Sequence, residues 1–106
     1  LAVAARERRH AAQNGRMFVA FALDSKNRLA SIVEVRGLGL AYEDDDIISG
    51  QLEAICKSVE KAIKAMPVES RDEDEGVEIV VARIVKKAAQ AIWGRRPIVE
   101  TIILRN

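Results

Sequence analysis

The feature that most constrains the fold is an apolar run of seven residues, Met17 to Leu23. Successive side chains of a β-strand point to opposite faces, so this strand would be apolar on both of them. Such a strand belongs in the interior of a sheet or between two covering layers. A turn-forming segment, residues 24–28, follows it, and residues 29–36 return as a more polar strand, which together predict a β-hairpin. Residues 37–39 are predicted to end this regular structure.

Two helical patterns occupy the middle of the chain. Apolar residues between Ile48 and Met66 recur every three or four positions, which places them on one face of a helix that Pro67 ends. Residues 77–93 have the same spacing and end at Gly94. The first half of this second segment is β-branched enough for a strand, but the alanines that follow favour a helix. The acidic residues 68–75 between the helices are predicted to form a solvated, mobile loop.

The ends of the chain complete the predicted fold. Residues 1–15 read as an N-terminal helix that stops at Asn14-Gly15, and residues 98–104 alternate as a last strand. The order is helix, strand, strand, helix, helix, strand. We expect one domain over residues 1–106, an α+β two-layer sandwich with a three-stranded sheet and two helices on one face. Either edge of such a sheet can pair with a partner chain or a neighbouring domain.

Composition limits the possible functions. The chain has 106 residues, of which 49% are apolar and 31% charged, with a net charge of +1. This composition argues against a disordered tail and against a strongly basic nucleic-acid-binding domain. Its apolar runs are far shorter than the ~20 residues that span a bilayer. Leu1 in place of a starting Met indicates a fragment of a longer protein, and a single cysteine fits a reducing, cytoplasmic location.

The residue types present do not predict an autonomous catalytic site. Cys56 and His10 are the only soft metal ligands, whereas zinc sites use three or four protein ligands. The sequence contains no nucleophile elbow, P-loop or dinucleotide fingerprint. We expect no metal or other cofactor in this fragment. We interpret Cys56 as a small hydrophobe on a helix face, His10 as a surface group, and the acidic run 43–46 as a helix cap in preference to a cation site.

Charge is unevenly distributed although the total nearly cancels. Residues 1–16 carry a net charge of +3 and residues 69–78 a net charge of −5, while residues 83–96 contain five bases and no acid. This distribution predicts a dipolar surface.

Three short motifs stand in a defined order along the chain. They are Arg6-Glu7-Arg8-Arg9 with Asn14-Gly15 before the apolar strand, Val35-Arg36-Gly37-Leu38 after the second strand, and Trp93-Gly94-Arg95-Arg96-Pro97-Ile98 before the last strand. In this order and spacing, the motifs resemble the C-terminal domain of bacterial ribonuclease J, one of the metallo-β-lactamase/β-CASP ribonucleases.

The resemblance implies an accessory role. In that family the domain follows a linker, helps to hold a dimer or tetramer together and supports RNA cleavage by the enzyme's own N-terminal catalytic domain. Zinc is implied only for that catalytic domain, whose histidine-rich motifs do not occur here, and RNA is implied as the substrate of the parent enzyme, with no membrane partner. Exonuclease and endonuclease action both stay open. The alternatives are a stand-alone RNA- or protein-binding module and an accessory domain of another metallo-β-lactamase-fold hydrolase.

The candidate interface or RNA-contact residues are Arg6, Arg9, Arg36, Trp93, Arg95 and Arg96. Arg95 and Arg96 could bind a carboxylate of a partner subunit or an RNA phosphate, or they could simply end the helix before Pro97. Trp93 could stack on a base, although a tryptophan at a helix end is more often a core or interface anchor. The helix of Arg6 and Arg9 could contact RNA or the catalytic core, or it could be solvated.

Overall fold

A computed structural model describes residues 15–38 and 45–106, without the side chains of residues 38 and 45–49. The elements are strand β1 (Arg16–Leu23), strand β2 (Glu34–Leu38), helix α1 (Asp45–Ala65), a 3₁₀ helix (Val68–Arg71), helix α2 (Asp74–Trp93) and strand β3 (Ile98–Arg105). The α+β class with three strands and two long helices is confirmed. Except for Gly15, the predicted N-terminal helix lies outside the described residues.

Strand β1 is the central strand of the sheet, whose order is β2-β1-β3. It pairs antiparallel with β2, where Val19 faces Val35, and parallel with β3, where Val19 faces Thr101. The prediction that the apolar run lies in the interior of a sheet is therefore confirmed. The sheet is mixed because β3 returns through α2, whereas β2 follows β1 directly.

The second strand differs from its predicted bounds at both ends. Residues 30–33 are irregular, and Leu29 forms only an isolated bridge to Leu23. The hydroxyl oxygen of Ser31 accepts the N–H of Ala22 at 2.8 Å, so a side chain takes the place of a backbone partner there. The prediction that residues 37–39 end regular structure is wrong for Gly37 and Leu38, which continue β2 opposite Met17 and Arg16.

The core lies between one face of the sheet and the two helices. Alternate β1 residues supply its sheet side, and residues three or four apart supply its helix side, as predicted from the apolar spacing. The buried members are Met17, Val19, Phe21 and Leu23 of β1, Val33 and Val35 in and just before β2, Ile55, Val59 and Ile63 of α1, and Val77, Val81, Val85 and Ala89 of α2.

The segment between the helices is exposed except at Arg71, as predicted for residues 68–75, but the prediction that it is an irregular loop is wrong. Residues 68–71 form the 3₁₀ helix, and the side chain of Arg71 is only 6% exposed. Its guanidinium donates hydrogen bonds to the carbonyl oxygens of Met66 at 2.8 Å, Asn27 at 3.0 Å and Lys64 at 3.2 Å. The bonds to Lys64 and Met66 satisfy carbonyls at and beyond the end of α1, which helix ends otherwise leave unpaired, and the bond to Asn27 joins this segment to the turn after β1.

Helix α2 ends at a glycine, as predicted. Gly94 has φ 68°, a left-handed conformation, and its N–H donates to the carbonyl oxygen of Gln90 at 3.0 Å. A Cβ at Gly94 would meet nothing within 4 Å, so no steric contact disfavours a side chain there. Only the left-handed backbone conformation does.

We expect Gly94→Ala to lower the free energy of unfolding by about 1 kcal/mol because alanine disfavours the left-handed region. Gly50→Ala is the matched control, since Gly50 lies within α1 and a Cβ there also has open space. The control should stabilise the protein by about 0.5–1 kcal/mol. Urea unfolding of both variants measures the two changes in the free energy of unfolding. If the two changes were equal, the positive φ of Gly94 would not be the cause of its loss of stability.

Candidate functional site

Three strand ends and one helix end meet at one end of the domain. Arg16 at the start of β1 lies opposite Leu38 at the end of β2 and Ile98 at the start of β3. The N–H of Ile98 donates to the carbonyl oxygen of Gly15 at 3.1 Å. The turn from α2 into β3, residues 94–97, lies at the same end. We call this region, residues 15–16 and 93–98, the Trp93 end.

Trp93 links the two helices at this end. Its side chain is half-buried against the core, and its indole Nε1 donates to Oε1 of Gln51 in α1 at 3.1 Å. A tryptophan ring with a buried body and a bonded N–H holds neighbouring elements in register. Stacking of Trp93 on an RNA base stays a prediction.

The basic pair that follows Trp93 lies in the turn between α2 and β3. Arg95 is half-buried and Arg96 is exposed, while Pro97 is fully buried and fixes the direction in which β3 begins. The turn therefore presents two cations beside Trp93. Their contact with a partner subunit or with RNA stays a prediction.

Arg36 is exposed on β2, opposite Phe18 of the central strand. Its charge acts on the nearby thiol of Cys56, which is half-buried on α1. Burial raises the pKa of Cys56, while the Val35 backbone and the charge of Arg36 have smaller opposing effects. Cys56 is therefore a protonated, weakly nucleophilic thiol near neutral pH.

The structure brings four of the six predicted site residues toward one end of the sheet. Trp93, Arg95 and Arg96 lie at the Trp93 end, and Arg36 lies two residues from the end of β2. Arg6 and Arg9 lie outside the described residues. An ion pair between Arg16 and Glu100 joins β1 to β3 nearby. Sequence reasoning missed this pair because it depends on the register of the two strands.

A second polar cluster, also missed, lies at the opposite end of the domain. We call it the Arg71 cluster, and its members are Asn27, Arg71, Asp72, Asp74 and Arg105. Arg105 donates to Oδ1 of Asp74 at 2.8 Å, to Oδ1 of Asn27 at 2.9 Å and to the carbonyl oxygen of Arg71 at 2.7 Å. Nδ2 of Asn27 donates to Oδ1 of Asp72. The cluster ties the β1–β2 connection to the helix connection and to the end of β3.

The turn after β1 positions Asn27 for this cluster. The Asp24 carboxylate accepts the N–H groups of Lys26 at 2.8 Å and Arg28 at 2.9 Å, and the Nε of Arg28 at 3.0 Å. The backbone bond from Arg28 is the largest cause that lowers the pKa of Asp24. This bonding holds Asn27 at φ 61°, a conformation that asparagine tolerates better than most residues.

Residues 15–38 and 45–106 contain neither a metal-binding group of side chains nor a helix that could span a membrane. No group of three or more His, Cys, Asp or Glu side chains in this part of the chain could hold a metal ion. No donor set among these residues fits the zinc that the resemblance implies for the separate catalytic domain. None of the helices described is long and apolar enough to span a bilayer.

These observations define a small α+β domain with a cationic turn at the end where residue 15 enters. The chain matches the family described as ribonuclease J C-terminal domain over residues 3–106, and it belongs to that family. No curated protein matches the chain. The resemblance carried by the three motifs is confirmed. Membership implies a ribonuclease whose catalytic domain is a partner of this domain, with RNA as that enzyme's substrate.

Proposed function

We propose that this chain is the non-catalytic C-terminal domain of a ribonuclease J-like enzyme of RNA processing and decay, where it supports self-association and cleavage by a zinc-dependent catalytic core. The family match over residues 3–106 carries the proposal. The zinc would be bound by the separate N-terminal catalytic domain. We also propose a cytoplasmic location, where RNA processing takes place and the free thiol of Cys56 would stay reduced.

The Trp93 end is the surface that we assign to the catalytic core or its RNA. The preceding chain reaches β1 at Gly15, so a domain attached upstream connects to this end. The same end presents Arg95 and Arg96 beside the anchored ring of Trp93. Arginine forms bidentate contacts with carboxylates and phosphates alike, so this turn fits either an acidic patch of the core or the RNA backbone.

The test compares the parent enzyme with and without this domain on a labelled single-stranded RNA. We expect deletion of the domain to lower kcat/KM by about tenfold or more through poorer positioning of the core and its substrate. We expect the isolated domain to cleave nothing. An unchanged kcat/KM after deletion would remove the supporting role.

Paired variants locate the effect on the surface. Arg95→Ala/Arg96→Ala in the parent enzyme should lower kcat/KM by about tenfold because two positioned charges are lost. Lys61→Ala/Lys87→Ala is the control, since it removes the same charge from exposed positions on α1 and α2. Equal effects of the two double variants would show that net charge matters and the Trp93 end does not.

A further inference from the structure

Strand β3 is an open edge of the sheet in the part of the chain described, since β1 is its only neighbour there. Natural edge strands are usually short or carry lysine, proline or a bulge that prevents further pairing. β3 has eight residues, Ile98–Arg105, and none of these devices. Its one internal charge, Glu100, pairs with Arg16 of β1. The strand is therefore open to pairing with another strand.

The backbone pattern shows which groups face this open edge. The N–H of Ile98 donates to Gly15 at 3.1 Å and the N–H of Asn106 donates to Leu23 at 3.0 Å. Because ladder bonds alternate along a strand, the even-numbered residues between them also bond to β1. The N–H and C=O groups of Val99, Thr101 and Ile103 consequently point away from the sheet.

An apolar surface on α2 extends the edge. A groove of about 530 Å³ runs between α2 and β3, lined by Glu75, Glu78, Ile79, Ala82 and residues 99–102. Ile79 of α2 is 53% exposed at this groove, and Ile102 is 51% exposed on the opposite face of β3, because it pairs with Ala20, which alternates with the buried residues of β1. Pairing at the edge would thus bury side chains as well as backbone groups.

The charges on α2 indicate what would pair there. The helix runs antiparallel to β3, since Asp74 at its start bonds Arg105 at the strand's end. Its first half carries Glu75 and Glu78 at the groove, and Lys86 lies one helical turn beyond Ala82 on the same face. A two-fold axis near Ala82 would set the acidic half of one α2 against the basic half of another. This complementarity favours a second copy of the same chain.

We propose that β3 pairs antiparallel with β3 of a second copy, about a two-fold axis near Ile102 and Ala82. The two three-stranded sheets would form one six-stranded sheet. Ile102 would face the partner subunit's Ile102, and Glu78 would face the partner subunit's Lys86. The inference rests on the proposed function in that it names the surface for the self-association proposed above.

Sedimentation of this chain at tens of micromolar tests the surface. Thr101→Pro removes an edge-facing N–H, and Ile102→Lys places a charge at the axis. Each should raise the dimer Kd by at least about tenfold, the loss expected when an interface loses a backbone donor or gains an unpaired charge. Ile32→Lys is the matched control, because Ile32 is 75% exposed and lies on the β2 side of the sheet. Its Kd should not change.

A charge exchange tests the proposed orientation. Glu78→Lys should weaken the dimer, and adding Lys86→Glu should restore it, because both partners of each contact then change sign. Failure of the double variant to restore the wild-type Kd would overturn the two-fold geometry.

The outcomes separate the surface from the function on which it rests. If the wild-type chain dimerises and both Thr101→Pro and Ile102→Lys dimerise with the same Kd, the β3 edge is not the interface, although self-association still stands. A wild-type chain that stays monomeric would overturn the interface and the proposed self-association together. The loss of cleavage on domain deletion would then still support an accessory role.

Discussion

Replacing Arg71 by methionine should lower the free energy of unfolding by about 3 kcal/mol or more, because three backbone carbonyls then lose a shared donor. The carbonyls belong to Asn27, Lys64 and Met66, and Arg71 is only 6% exposed. Methionine cannot donate a hydrogen bond, so these part-buried carbonyls lose a partner that the substituted side chain does not replace. Urea unfolding followed by far-ultraviolet circular dichroism measures the change.

Two further variants control this result. Arg71→Lys keeps the charge but cannot span three carbonyls with one ammonium group, so most of the loss should remain. Arg83→Met makes the same arginine-to-methionine change at an exposed position of α2 and should cost less than about 0.5 kcal/mol. A loss for Arg71→Met as small as that for Arg83→Met would contradict a structural role for the Arg71 cluster.

The elements that depend on local patterns could be predicted. The apolar spacing of α1 and its stop at Pro67, the alanine-rich continuation of α2 and its stop at Gly94, and the alternation of β3 are all present in the fold. The central position of β1 also followed from its sequence, because a strand that is apolar on both faces has few other stable positions.

The errors arose where a single side chain outweighed the local pattern. The composition of residues 68–75 indicates a solvated loop, yet one arginine in it, Arg71, is buried by partners at positions 27, 64 and 66. No local rule connects those positions, since they meet only after the strands and helices pack. Strand β2 begins at Glu34 and not at the predicted residue 29 for a similar reason, because the hydroxyl oxygen of Ser31 accepts a hydrogen bond from the N–H of Ala22.

The residues of the candidate site could be predicted from a sequence motif, but their contacts in the fold could not. The sequence placed Trp93, Arg95 and Arg96 at a helix end before a strand, and they lie there. The partner of the indole, Gln51, lies on the other helix and depends on how α1 and α2 pack together. Which residues share the Trp93 end likewise depends on strand order, which the sequence left open.

Proline at two adjacent positions of β3 should have very different effects on stability. The ladder directs the N–H of Ile102 toward β1, where the register gives it the carbonyl oxygen of Val19, so Ile102→Pro breaks a bond inside the sheet. The N–H of Thr101 points to the open edge. We expect Ile102→Pro to cost about 3 kcal/mol and Thr101→Pro about 1 kcal/mol or less.

Measuring unfolding and self-association on the same two variants separates the fold from the interface. Thr101→Pro should keep the cooperative urea transition of the wild type while losing the dimer, whereas Ile102→Pro should lose both. Similar destabilisation by the two prolines would mean that both N–H groups are used within one chain, and the free edge of β3 would then not exist. Retained stability together with a retained dimer in Thr101→Pro would instead place the contact between copies elsewhere on the surface.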